Sequence, residues 1–230
     1  MIRDLVKTDE LVSPLKSVFC WRPSSRAHTL KESEISDNVL PQVTARTRRL
    51  VGYFQRFDTV HAVFSQLNQR IYDATAIRQQ IISTASDRIV VHVRCGDYLS
   101  PKVQGTHGLS AASYYRTAID YLSRSTGIRS VQVVSDQPMI ALRQLSQALR
   151  TTQIKVELAH SRGAWSDLGI LANSSAVVMS NSSFSWWGAY LASRYHQSVV
   201  VAPKPWYSRE TNVETILFDP SWKVIPREIL

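Results

Sequence analysis

The chain has 230 residues, 44% of them hydrophobic and 20% charged, with 27 Lys and Arg against 18 Asp and Glu and a net charge of +9. Those values fit one large α/β domain or two small ones, and the positive excess points toward an anionic partner: nucleic acid, a phosphorylated ligand or an acidic lipid surface. No apolar run is long enough to span a membrane as a helix, and charged residues in Met1–Glu10 stand where a signal peptide carries its apolar core, so a cytoplasmic location is expected.

Along residues 1–86 the pattern is irregular. Lys and Arg are scattered apart from the short cluster Arg46-Thr47-Arg48-Arg49. There is no arginine-rich tail, zinc-finger spacing or RNA-binding aromatic signature, so nucleic acid is not an expected partner. Gly52-Tyr53-Phe54-Gln55 reads as a turn leaving a strand, and Val60–Ile82 as a long amphipathic helix with Val63, Leu67 and Ile71 on one face. The helix of this stretch is expected to bridge to the rest of the chain. Cys20 and Cys95 have no metal spacing and read as free buried thiols.

Residues 87–230 alternate between β-branched runs and helical periods. Arg88–Val93 is an expected strand, Ser113–Ser123 a helix, Val131–Val134 a strand and Met139–Leu149 a helix started by Asp136 and Pro138. Lys155–Leu158, Ala176–Met179 and Ser198–Val201 follow as strands, interleaved with helices over Asp167–Asn173 and Ala189–Tyr195. Apolar strands separated by helices are the pattern of a parallel sheet covered on both faces. In such sheets ligands bind beyond the carboxyl ends of the strands.

The densest chemistry follows strand Ala176–Met179, in Asn181-Ser182-Ser183-Phe184-Ser185-Trp186-Trp187-Gly188-Ala189-Tyr190. A strand that ends in hydroxyls and opens into a helix offers unpaired N–H groups and serine oxygens to a phosphate. The plainer alternative is a serine cap followed by core tryptophans. Trp186, Trp187 and Trp206 are assigned no site role for that reason. Strand Arg88–Val93 runs into Arg94-Cys95-Gly96-Asp97, and strand alternation puts His92 and Arg94 on one side. A guanidinium there suits bidentate phosphate contact, with Asp97 orienting it or acting on substrate; a structural Arg–Asp pair is the alternative. Asp136 and Asp167 read as helix caps, although a carboxylate at Asp167 can also accept from a purine edge. His107, between Gly105 and Gly108, is a candidate general base or an exposed loop residue. There is no Walker phosphate loop, dinucleotide turn, metalloprotease helix, nucleophile elbow or Asp-x-Asp pair. Arginine, serine and helix-terminus N–H groups must then neutralise any bound diphosphate, and no metal is expected.

Taken in order, Gly52–Gln55, His92–Tyr98, His107-Gly108, Tyr114-Tyr115, Ser135-Asp136, Asp167-Leu168, Asn181–Tyr190 and Ala202–Tyr207 resemble the bacterial α-1,2-fucosyltransferases. The resemblance runs from about Val51 to Tyr207. Its Asn-Ser-Ser-Phe-Ser-Trp-Trp-Gly-Ala segment is highly specific, whereas His-x-Arg is shared with α-1,6- and protein O-fucosyltransferases.

It implies a GT-B-like α/β fold: a reduced N-terminal, acceptor-side region over residues 1–86 and a Rossmann-like domain over residues 87–230 that holds GDP-fucose. It further implies inverting, metal-independent transfer of L-fucose from GDP-β-L-fucose to a galactose 2-hydroxyl, with no cofactor beyond the donor. Arg94 would bind the diphosphate, His92 and Asp167 would lie near the guanine, and Ser182 and Ser183 would contact phosphate, with Asp136 placed in the same donor site. Asp97 and His107 both remain candidates for the base. The partners implied are GDP-fucose and a galactose-containing, lipid-linked glycan at the inner face of the membrane. Two departures accompany the match. The family's second arginine is Cys95 here, and nothing before Val51 matches the family's Gly-Leu-Gly-Asn-Gln turn. A non-catalytic or degenerate nucleotide-sugar- or glycan-binding protein is the alternative function.

Overall fold

The computed structural model describes residues 28–31, 47–51, 56–62, 64, 86–208 and 214–230. The turn expected at Gly52–Gln55, most of the helix expected over Val60–Ile82, and Cys20 lie outside the described residues. Near the N-terminus a pair of short strands, β1 (His28–Lys31) and β2 (Thr47–Val51), runs in parallel, and helix α1 (Phe57–Ala62) follows.

Beyond residue 86 the chain builds one six-stranded sheet. Its strands are β3 (Ser86–Val93), β4 (Ser130–Ser135), β5 (Lys155–Leu158), β6 (Ser174–Val178), β7 (Val199–Lys204) and β8 (Lys223–Pro226). Their order is β5-β4-β3-β6-β7-β8, and every pairing is parallel. The chain therefore starts in the middle, winds outward through β4 and β5, then returns to β6 beside β3 and winds outward on the other side. This is the Rossmann order, and its switch point lies between β3 and β6.

Helices fill the crossovers, because parallel neighbours need a long connection. They are α2 (Pro101–Gln104), α3 (Ala112–Thr126), α4 (Pro138–Ala148), α5 (Ala164–Ala172), α6 (Ser183–His196) and α7 (Glu214–Leu217). Strand alternation divides the core into two layers. Ile89, Val91 and Val93 pack on Tyr114, Tyr115, Ala118, Ile119 and Leu122 of α3 and on Ala141 and Leu145 of α4. Val90, Val177 and Met179 face the opposite layer, with Trp186, Ala189 and Tyr190 of α6 and Leu217, Phe218 and Trp222 beyond it. Each fully buried Val, Leu or Ile contributes roughly 1.5–3 kcal/mol, so the two-sided burial of β3 accounts for its unbroken apolar run.

Helix α5 packs closely against α6 because position 188 is glycine: a Cβ there would lie 2.6 Å from Cβ of Leu171. The α1 segment adds Val60 to the α6 layer, and Phe57 and Phe64 meet the Tyr190 ring edge-on.

Three helix starts differ from the expectation. α6 begins at Ser183 and not Ala189, so both tryptophans lie within the helix. α5 begins at Ala164, which puts Asp167 inside its first turns, and neither Asp167 nor any other side chain caps it. α4 begins at Pro138 with Gln137 as the capping residue, so Asp136 is not its cap either. Both carboxylates are free of the local role that spacing suggested, and Asp136 is used elsewhere. Strand β8 and helix α7 were not anticipated; β8 is a four-residue edge strand with mostly exposed side chains and carries no apolar run.

Candidate active site

The switch point places the loop after β3 beside the loop after β6, and the chemically marked segments meet there. Arg94 follows the last residue of β3. Its Nη1 is 2.8 Å from Asp136 Oδ2, at the end of the neighbouring β4, and its Nη2 is 2.7 Å from Asp97 Oδ1. Asp136 Oδ1 accepts the Cys95 N–H at 2.9 Å. Gly96 is what lets the carboxylate approach, since a Cβ on residue 96 would sit 3.1 Å from Asp136 Cγ and overlap its Oδ2. The guanidinium also lies 5.7 Å from the centre of the Tyr98 ring. Tyr98 in turn donates to Asn181 O at 2.8 Å, tying the β3 loop to the β6 loop.

On the β6 side, Ser182 is the N-cap residue of α6 with extended backbone, but its hydroxyl makes no capping bond. Ser183 is the first residue of the helix, and Ser185 Oγ accepts the Ser180 N–H at 3.1 Å. The helix N-terminus therefore opens toward the end of β3 with two serines on it, a setting suited to an anion.

His92 occupies a different place. Its ring is buried, with Nδ1 2.8 Å from Ser180 Oγ, and packs 5.3 Å from Phe184. Burial, reinforced by the Arg94 charge, pushes its pKa down to about 3. A neutral ring that reaches Ser180 shapes the turn from β6 into α6.

His107 is brought to the site from the α2–α3 loop, stacked on Tyr98 at 5.1 Å and near Tyr207 at 5.3 Å. Burial holds its pKa below the usual imidazole value; Asp97 opposes that shift and Arg227 adds to it. Its Nδ1 is buried without a hydrogen-bond partner among the described residues. Arg94, Asp97, Tyr98 and His107 thus form one connected group. Asp167 stands apart from it on α5. Burial raises its pKa against a hydrogen bond from Ser161, and its Oδ1 is buried without a hydrogen-bond partner among the described residues.

Three participants had no role in the sequence reading. Asn181 Nδ2 donates to His107 O at 2.9 Å and to Trp206 O at 3.0 Å. Arg227, beyond the last strand, donates to the same two carbonyls and to those of Pro205 and Gly108. Tyr98 links the two loops as described. Asn181 opens the marked segment and was visible in it, whereas an isolated arginine just past β8 carries no sequence signal. The tryptophans are structural: Trp186 stacks on Tyr190 and donates to Leu217 O at 2.6 Å, and Trp206 is buried against Phe218. The Cys95 side chain belongs to the α3 layer of the core, where burial raises its thiol pKa.

With a doubly paired arginine and a serine-bearing helix start at a Rossmann switch point, the comparison with known proteins is decisive. The model of glycosyl transferase family 11 matches residues 33–226. The chain belongs to that family. Among curated relatives, it is 29% identical over 170 residues to an α-1,2-colitosyltransferase of Escherichia coli, covering 73% of this chain and 56% of the relative. It is 26% identical over 133 residues to the O-antigen biosynthesis glycosyltransferase WbnK of Escherichia coli, covering 57% and 43%. With galactoside α-(1,2)-fucosyltransferase 1 of Saimiri sciureus it shares 33% over 103 residues, covering 44% and 28%. The chain thus spans about half or less of the length of these relatives. Of solved structures, it aligns with POFUT1 in complex with GDP at 16% identity and a TM-score of 0.38, covering 60% of this chain and 45% of that one. With the Escherichia coli heptosyltransferase WaaC with ADP the identity is 15% and the TM-score 0.43, covering 66% and 42%. Among the described residues, no helix is long and apolar enough to cross a membrane.

Proposed function

We propose that this family 11 glycosyltransferase moves L-fucose, or the related sugar of its colitosyltransferase relative, from a GDP-sugar to the 2-hydroxyl of a galactose unit in a glycan, with inversion and without metal. The observation that carries the reading is Arg94, held at the carboxyl end of β3 by Asp136 and Asp97, next to the switch point between β3 and β6. In the transition state the bond from the anomeric carbon to the β-phosphate oxygen breaks and negative charge builds on that phosphate. A guanidinium held in place beforehand stabilises the charge most at that moment, as do the Ser182 hydroxyl, which makes no capping bond, and the N–H of Ser183 at the start of α6. Asp97 and His107, one ring apart, are the groups placed to take the acceptor proton. Asp167, with its unpartnered buried oxygen, is suited to the donor N–H groups of a guanine edge. His92 serves the same site through Ser180. A lipid-linked acceptor at the inner membrane face fits the net charge of +9, which favours peripheral attachment of a cytoplasmic protein to anionic lipid.

The test is calorimetric titration with GDP-fucose, GDP-colitose, GDP-mannose and UDP-galactose, followed by transfer to a galactoside. Selective binding of one of the first two, abolished in Arg94→Ala, is expected, with a loss in rate of at least about 10²–10³ in that variant. Wild-type turnover by a folded Arg94→Ala protein removes Arg94 from the mechanism. Absence of donor binding by well-folded wild-type protein overturns the reading in favour of a glycan-binding protein without transfer activity.

A further inference from the structure

We infer that the Arg94–Asp97 ion pair is a latch opened by the donor's diphosphate, so that Asp97 becomes available as the base for the acceptor hydroxyl only once the donor is in place. The inference rests on the GDP-sugar reading above. Two carboxylates share one guanidinium, but they are held very differently. Asp136 is fixed at both oxygens, Oδ1 by the Cys95 N–H and Oδ2 by Arg94 Nη1. Its side chain is 25% exposed and fills the space left by the missing side chain of Gly96. Asp97 is held, among the described residues, through Oδ1 alone, and its side chain is 44% exposed.

Two negative charges on one positive charge leave an excess of one negative charge where the diphosphate must sit. The anion can enter only by taking the place of a carboxylate on Arg94. Asp136 cannot leave without freeing the Cys95 N–H, and the Tyr98 ring, bonded through its hydroxyl to Asn181 O, lies 5.7 Å from the guanidinium. Asp97 can leave at little cost, because an exposed ion pair is weak and a charge-assisted guanidinium–phosphate hydrogen bond replaces it. The exchange therefore hands Nη2 from Asp97 to the phosphate while Nη1 stays on Asp136.

The freed carboxylate then has both oxygens unpaired among the described residues, and its side chain can turn from the guanidinium toward the reacting groups. The acceptor oxygen forms its bond to the anomeric carbon as the bond from that carbon to the β-phosphate oxygen breaks. The bonding pair leaves with the nucleoside diphosphate, and the acceptor proton passes to Asp97. Before donor binding the same carboxylate is held against Arg94 through Oδ1. Donor-first binding follows from this arrangement.

The experiment is calorimetric titration of GDP into the wild-type chain, Asp97→Asn and Asp136→Asn, with Asp97→Ala as a second variant and with turnover measured alongside. Asp97→Asn is expected to bind GDP about threefold to tenfold more tightly, because no ion pair has to open and one like charge is gone. Its transfer rate is expected to fall by at least about 100-fold. Asp136→Asn is expected to bind GDP more weakly, giving the two aspartates opposite signs. Equal or weaker GDP binding by both Asp97 variants, or wild-type turnover in either, overturns the latch while leaving the GDP-sugar reading intact. Failure of the wild-type chain itself to bind GDP overturns that reading and the latch with it.

Discussion

Replacing Arg227 by methionine tests whether the tail of the chain frames the site. Arg227 is 5% exposed, and its guanidinium donates to Pro205 O at 2.6 Å, His107 O at 2.6 Å, and Gly108 O and Trp206 O at 3.3 Å. Methionine keeps most of the stem and removes every donor. Asn181 Nδ2 continues to serve His107 O and Trp206 O, whereas Pro205 O and Gly108 O lose this donor. A buried polar group left unsatisfied costs about 1–3 kcal/mol, so the buried Gly108 O and the half-buried Pro205 O together predict a loss of about 2 kcal/mol or more. Urea unfolding followed by far-UV circular dichroism gives the number, with an unchanged m-value as the sign that only stability moved. Arg227→Lys is expected to recover some of the loss, since an ammonium reaches fewer carbonyls than the planar fork. Because Asn181 grips two of the same oxygens, Asn181→Ala combined with Arg227→Met is expected to cost at least about 0.5 kcal/mol more than the sum of the single changes. A loss below about 1 kcal/mol for Arg227→Met, or strict additivity in the double variant, would refute the shared grip on the His107 loop.

Gly96→Ala forces the Asp136 carboxylate away from Arg94 Nη1 and from the Cys95 N–H. The expected result is a stability loss of about 1–3 kcal/mol and weaker GDP binding, since one hydrogen bond to a charged group and one half-buried ion pair are disturbed; a wild-type melt and affinity would show that Asp136 does not need that space. The His92 ring predicts a particular acid limb. Its pKa falls from 6.5 in the unfolded chain to about 3 when folded, so between those values the unfolded state binds the extra proton. Its contribution to stability is therefore complete above pH 6.5 and declines as the pH drops toward 3, at up to about 1.4 kcal/mol per pH unit. His92→Gln should remove that slope, and unfolding free energies measured from about pH 7 to pH 4 with the same dependence in both proteins would show that the ring is not buried neutral.

Much of this architecture is legible in the chain. The run Ile89-Val90-Val91 announces a strand buried on both faces, and Tyr114, Tyr115, Ala118, Ile119 and Leu122 repeat with the helical period that places them on the first core layer. Asn181–Tyr190 marks the site by its composition alone. The helix starts are less legible, because serine, aspartate and glycine favour both caps and turns; the helices begin at Ser183, Pro138 and Ala164. Asp136 is the instructive case. Locally it has the position of a cap, and only the neighbouring end of β3, brought alongside by the sheet, gives its oxygens Cys95 and Arg94 to bind.

By itself, then, the sequence determined the alternation of strand and helix, the two-sided apolar core and the family, since all three rest on short-range period and on motif residues that stand together. The tertiary structure alone decided which strand lies beside which, and hence that the switch point falls between β3 and β6. It likewise decided that Arg94 is shared by residues 97 and 136, and that Arg227 and Asn181 hold the same carbonyls. Those contacts join positions 21 to 120 residues apart, except for the local pair with Asp97, and no local preference of either partner encodes them. They arise because burying both faces of the sheet fixes the strand order, and that order sets the strand ends, with their charged groups, side by side.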